Sequence, residues 1–162
     1  MILRPGGRFL VSHPAHFLAL GFGSGLAPVA PGTAGTLVAF PLYVGLSAFL
    51  HTPWELLAVA AVLFLIGVWA CGRTGADLGI PDHGAMVWDE VVAFLLILAF
   101  TPAGLGWQAL AFVAFRLFDV LKPPPIRSVD RHWKGGLGVM FDDLLAALYT
   151  LVVIAIAKHV AG

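Results

Sequence analysis

The chain has 162 residues, 60% of them hydrophobic and 11% charged, with nine basic and nine acidic side chains and no net charge. Soluble domains average about 25% charged residues, so this composition argues for lipid contact. The balanced charge gives no basic excess with which to bind nucleic acid. A single cysteine, Cys71, excludes an internal disulfide and a paired-cysteine metal or redox site.

In chain order, Arg4 and Arg8 precede an apolar stretch, and Ala27-Pro-Val-Ala30 loosely resembles a cleavage site. His13, Pro14, His16 and Gly23-Ser-Gly25 interrupt the apolar core that a signal peptide would need. A crossing helix takes about 20 mostly apolar residues, and four to five segments approach that length. They cover residues 34–50, 53–72, 84–100, 105–121 and 139–157. The second opens on Thr52-Pro53-Trp54-Glu55, a capping box with proline in the first turn. Pro41 should kink the first or delay its start. Thr101-Pro-Ala-Gly104 ends the third, and Pro123-Pro-Pro125 ends the fourth. The uncharged part of the fifth, residues 144–157, is too short to cross alone. Long apolar runs without period-2 alternation exclude a barrel. The expected fold is a single all-α domain over residues 1–162, an integral membrane helical bundle of about four to five short spanning helices.

Threading these spans alternately across a bilayer puts Arg4, Arg8, Arg73, Arg116, Lys122, Arg127, Arg131 and Lys134 on one side. Only Glu55 and Lys158 fall opposite. By the positive-inside rule the charged side is cytoplasmic. A polar face opposed by two nearly bare turns predicts a one-sided site.

Three segments on that side carry chemistry. The glycine- and proline-rich stretch from Gly21 to Thr36 opens a helix, where free N–H groups favour anions. It lacks a Walker lysine, and a tight turn capped by Thr33 or Thr36 fits it equally. Asp89 and Glu90 stand at the start of the third span. Charge at bilayer depth costs about 3 kcal/mol or more, so this pair reads as a site rather than a boundary mark. Arg116 and Asp119 share a helix face, with Lys122 three residues on. Asp142 and Asp143 at the start of the last helix are either part of a site or favourable partners of the helix dipole. Acids from three helix ends, interleaved with Arg and Lys, select magnesium over zinc or copper and suit phosphoryl chemistry at a lipid surface. Cysteine-phosphatase, aspartyl-phosphate and His-Glu-x-x-His patterns are absent. His16, His83 and His132 read as ordinary histidines, and Ser24 and Ser128 have no adjacent partner that would mark a nucleophile.

Gly23-Ser-Gly-Leu-Ala-Pro-Val-Ala-Pro-Gly-Thr33, Trp88-Asp-Glu90, Phe115-Arg-Leu-Phe-Asp119, Lys122-Pro-Pro-Pro-Ile-Arg127, Asp130-Arg131, Gly135-Gly-Leu-Gly138 and Met140-Phe-Asp-Asp143 together resemble the phosphatidylglycerophosphatase A family. The resemblance covers residues 16–147 or so. It implies an all-helical fold, a Mg2+ requirement, a bacterial inner-membrane location and hydrolysis of phosphatidylglycerophosphate to phosphatidylglycerol and phosphate. The family's acidic positions correspond to Asp89, Glu90, Asp119, Asp130, Asp142 and Asp143, the expected metal ligands. Asp89, Glu90, Asp119 and Asp143 are the expected catalytic residues. Arg116, Lys122, Arg127 and Lys134, with Ser24 and Thr33, are the expected phosphate contacts. The family favours glycine where this chain has Ala93 and Ala147, each four residues past an acid and on its helix face. The expected mechanism is metal-assisted hydrolysis with a carboxylate as general base and the lipid tails between helices. A small ion-coupled transporter and a structural membrane subunit are the rival readings. Oligomeric state is not legible.

Overall fold

A computed structural model describes residues 5–161, and every regular element in that range is helical. Arg4, counted among the cytoplasmic charges, lies outside the described residues. Two short helices come first, α1 (Gly7–Ser12) and α2 (Pro14–Ala19). Extended His13 separates them, and its Nδ1 caps α2 by accepting from the Ala15 N–H at 3.0 Å. A 3-10 segment, Gly21–Leu26, follows. Next comes α3 (Pro31–Ser47), which begins after left-handed Ala30 with proline in its first turn. Thr33 and Thr36 are therefore inside the helix and not its cap. Pro41 also lies inside α3 without ending it.

The capping box of α4 (Pro53–Leu78) forms as expected: Glu55 N–H donates to Thr52 Oγ1, and Thr52 N–H donates to Glu55 Oε2. This helix passes Gly72 and stops only at left-handed Gly79. Two more follow, α5 (Trp88–Phe100) and α6 (Leu105–Leu121). The chain then makes a single short helix, α7 (Ile126–His132), and ends with α8 (Gly136–Ala161). Gly136 lets α8 start early, because a Cβ there would collide with the Val68 carbonyl of α4.

The span count differs from expectation. Among the described residues two helices, α4 and α8, are long and apolar enough to cross a membrane, fewer than the four to five expected. Each has 26 residues, about 39 Å at 1.5 Å per residue, against a hydrocarbon core of about 30 Å. The 17-residue α3 and α6 reach about 25 Å. The 13-residue α5 reaches only about 20 Å, and it is buried from Trp88 to Ala99 within α3, α4 and α8. Its Phe94 ring meets Phe40, Phe112 and Phe115 at centroid distances of 5.3, 5.8 and 5.7 Å.

The outer faces are apolar. Val62, Leu65 and Trp69 of α4, Val113, Leu117 and Val120 of α6, and Leu148, Val152 and Ile156 of α8 are all exposed. Each set recurs every three or four residues, so it forms one stripe along its helix. Apolar stripes of this extent suit lipid better than water. The bundle also has two distinct ends. Trp54 and Phe100 pack edge to face at 5.7 Å, which brings the start of α4 to the end of α5. At the other end the starts of α5 and α8 meet the end of α6, and the acids gather there.

Candidate functional site

The site is assembled from four helices: α3, α5 and α8 approach it by their starts and α6 by its end. Val87 sets the start of α5 through a long-range bond, its N–H donating to the Ala19 carbonyl at 2.8 Å. Asp89 and Glu90 then fall in the first turn of α5, both buried. Asp142 and Asp143 are buried on α8, but α8 begins at Gly136, so they stand beyond its first turn. The helix-dipole explanation for this pair therefore fails, since that effect fades within one turn. Asp119 arrives from the last turn of α6.

These carboxylates form two groups. Asp89, Asp142 and Asp143 each offer an oxygen within 4.8 Å of the others, and so do Glu90, Asp119 and Asp143. Asp143 belongs to both. Asp89 Oδ1, Glu90 Oε2 and Asp143 Oδ2 are buried with no hydrogen-bond partner in the protein. A buried carboxylate oxygen without a donor is strongly disfavoured, and three of them spread over these two linked groups call for a cation. An all-oxygen donor set of this kind fits a hard ion such as Mg2+.

Arg116 is the nearest fixed positive charge. Its Nη1 pairs with Asp119 one turn on and lies 3.6 Å from Glu90 Oε1. The same nitrogen donates to Thr36 Oγ1 at 3.5 Å, and Thr36 in turn donates to the Gly32 carbonyl at 2.9 Å. Arg116 Nε is buried and has no protein acceptor, which leaves one donor beside the acids for an anion.

Lys122 closes the α6 end in the left-handed region, at φ 45°. A non-glycine residue held there costs of order 1–3 kcal/mol. Its Nζ donates to Asp130 Oδ1 and Asp142 Oδ2, both at 2.6 Å, which offsets that cost. Burial alone would lower the Lys122 pKa, but the bonds to Asp130 and Asp142 outweigh it and raise the pKa above the ordinary lysine range. The ammonium therefore stays charged through neutral pH and fixes Asp142, whose Oδ1 also accepts the Asp143 N–H at 3.1 Å.

Other expected site residues stand apart. Asp130 is in neither carboxylate group and is held by Lys122. Lys134 donates to the Asp130 carbonyl at 2.7 Å and lines a small hollow with Asp82, Asp130 and Asp142. Arg127 is exposed and donates to the Leu121 carbonyl. Ser24 Oγ turns back to the Gly21 carbonyl at 2.8 Å, within its own 3-10 turn. Thr33 is half-buried in the first turn of α3. The sequence reading missed Gly32. A Cβ at that position would land on Glu90 Oε1 and press on the Arg116 guanidinium. The glycine-rich segment thus lets the start of α3 close over the ion pair. The Pro31-Gly-Thr-Ala-Gly-Thr36 spacing carried a signal of close approach, but the partner lies far along the chain. His83, read as ordinary, is buried: its Nδ1 accepts the Ala85 N–H at 3.1 Å, and its Nε2 has no protein partner.

No solved structure matches the chain. Among proteins of assigned function, it is 42% identical over 154 residues to phosphatidylglycerophosphatase A of Escherichia coli, covering 94% of this chain and 88% of that one. It is 46% identical over 144 residues to phosphatidylglycerophosphatase A of Haemophilus influenzae, covering 88% and 87%. A Bacteroides thetaiotaomicron protein provisionally named phosphatidylinositol-3-phosphatase is 36% identical over 151 residues, covering 90% and 94%. A sequence model described as phosphatidylglycerophosphatase A matches residues 17–158. That match takes in α3 to α7, most of α8 and every carboxylate of the two groups, so the chain belongs to the phosphatidylglycerophosphatase A family of phosphatases.

Proposed function

We propose that this chain hydrolyses the phosphate monoester of phosphatidylglycerophosphate, releasing phosphatidylglycerol and inorganic phosphate, and that it needs Mg2+ to do so. The orphaned oxygens of Asp89, Glu90 and Asp143, in the two carboxylate groups that meet at Asp143, carry the metal reading. Asp89, Glu90, Asp119, Asp142 and Asp143 would hold the ion. When bound, Mg2+ supplies a Lewis acid for the phosphoryl oxygens and lowers the pKa of water.

The chain's own groups do the rest. Arg116, braced by Asp119 and Thr36, turns its free Nε–H toward a phosphate oxygen and neutralises charge that develops there. A carboxylate of the cluster takes the proton of the attacking water. Lys122 and Asp130 act as positioning residues: together they hold Asp142 against the repulsion of its acidic neighbours. Burial of the cluster under α3 limits bulk water and strengthens each of these interactions.

The membrane placement extends the same reading. Alongside α4 and α8, α3 and α6 cross at the lower limit of spanning length, and α5 returns the chain between them inside the bundle. The acidic end then faces the cytoplasm of a bacterial inner membrane, where Arg73, Arg116, Lys122, Arg127, Arg131 and Lys134 collect. An ion-coupled transporter would carry its charged site near the midplane on broken helices, whereas these acids gather toward one end of the bundle on unbroken helices.

The deciding experiment is phosphate release by purified protein from phosphatidylglycerophosphate in mixed micelles, with Mg2+ and with excess chelator. Release with Mg2+ and none with chelator is the expected result. Full release in chelator would remove the metal, and no release in either would remove the activity. Phosphatidylinositol 3-phosphate belongs in the same assay, because the Bacteroides relative's name favours it as a second substrate.

A further inference from the structure

A cleft of about 320 Å³ runs between α4, α5 and α8. Its walls are apolar except at one end, where Asp89 closes it. Along α5 the lining residues Asp89, Ala93 and Leu96 follow the three- and four-residue spacing of one helix face. They carry the cleft about 10 Å from the acidic cluster toward the middle of the bundle. On the α4 side Ala60, Ala61 and Leu65 form the wall. Ala61 and Leu65 are exposed, Leu65 by 69%, and Leu65 belongs to the outward apolar stripe of α4. The cleft therefore opens sideways through the stripe that faces lipid. It exists because small side chains, Ala60, Ala61 and Ala93, stand where larger ones would fill the gap.

We infer that this cleft seats one acyl chain of the substrate lipid, which enters laterally from the bilayer and brings the phosphate end of the molecule to Asp89. The inference rests on the phosphatase reading and deepens it. Three observations select this occupant. The wall is apolar and continuous with the carboxylate cluster through Asp89, which belongs to that cluster and whose buried Oδ1 has no protein partner. The mouth lies on the lipid-facing surface. The cleft runs from that surface to the acids along one face of α5, the path that a single hydrocarbon chain with a polar end would take.

The test uses the full chain in phosphatidylcholine vesicles with a phosphatidylglycerophosphate that carries a diazirine in one long acyl chain. Photolysis should place adducts on residues of α4, α5 and α8 around the cleft. Ala61→Trp, at the exposed mouth, should cut those adducts and lower the ratio of long-chain to short-chain kcat/KM about tenfold, in keeping with the effect of filling an apolar pocket. Val113→Trp, on the lipid face of α6, should leave both readouts as they are in the parent protein. Adducts confined to α6, adducts undiminished by Ala61→Trp, or an unchanged chain-length ratio would overturn the inference. Phosphate release from neither substrate by the parent protein would instead remove the phosphatase reading, while the adduct map still decides where the chain lies.

Discussion

Asp143 is the one carboxylate shared by both acidic groups, and one of its buried oxygens has no donor. Asp143→Asn keeps its size and removes its charge. In the metal-free protein it takes one negative charge out of a cluster that also holds Asp89, Glu90, Asp119 and Asp142. The new amide can donate to a neighbouring carboxylate that lacks a donor; an unsatisfied buried polar group costs about 1–3 kcal/mol, so stability should rise by a similar amount. For a chain of this size each kcal/mol moves the melting temperature by about 2–4 °C, so the metal-free variant should melt a few degrees above the parent. Mg2+ should have the opposite effect. A ligand at one hundred times its Kd stabilises by about 2.7 kcal/mol, so Mg2+ should raise the parent's melting temperature by several degrees and the variant's hardly at all. Phosphate release should fall by about a hundredfold or more, as expected for loss of a group that organises the reacting charges. The assays are thermal unfolding in detergent across a Mg2+ titration and phosphate release per folded molecule. A variant that melts below the parent yet keeps its Mg2+ shift would show Asp143 to be structural, and the metal assignment would go with it.

Asp119 has two partners of opposite kind, Arg116 and the Glu90–Asp143 group. Asp119→Asn should collapse turnover while the protein still inserts; near-normal turnover at ordinary Mg2+ would take Asp119 out of the site. Gly32→Ala places a Cβ on Glu90 Oε1 and against Arg116. It should cost about a hundredfold in turnover, the scale of an ångström of misplacement, with little change in melting temperature, whereas Ser24→Ala and Thr33→Ala should stay within a few-fold of the parent. Ser128→Cys should resist a membrane-impermeant thiol reagent added outside intact cells, and ready labelling would invert the topology. Thr101→Cys, at the opposite end of the bundle, should label readily if α5 and α6 meet at the outer face, and protection there would remove that pair of crossings.

What was legible depended on how local the determining interaction is. The start of α4 and both ends of α6 are set by Thr52, Glu55, Gly104 and the proline run after Lys122, all within four residues of the boundary, and the helices begin and end where those signals stand. The start of α5 was placed four residues early because no side chain caps it and the Val87 bond to Ala19 sets it across the fold. The start of α8 was placed three residues late because Gly136 reads as a loop glycine until the Val68 carbonyl is beside it. Span counting gave more candidates than the two helices long and apolar enough to cross for a related reason: hydropathy measures how apolar a segment is and not what surrounds it. The run through α5 is as apolar as a crossing helix, yet its neighbours in the fold are α3, α4 and α8.

The acids were legible for the opposite reason. In a chain this apolar, a buried charge is costly enough that its position alone carries information, and Asp89, Glu90, Asp119, Asp142 and Asp143 do converge. Sequence could not divide the acids and bases among ligands, braces and bystanders. Asp130 and Arg127 lie within eight residues of Lys122 in one polar stretch of sequence, and only the 2.6 Å contacts separate a lysine that fixes Asp142 from an arginine that holds a backbone carbonyl. Gly32 shows the limit most clearly. Its function is a side chain that is not there, 58 positions before Glu90 in the chain, and the space it leaves is what lets α3 cover the charges that α5 and α6 bring together.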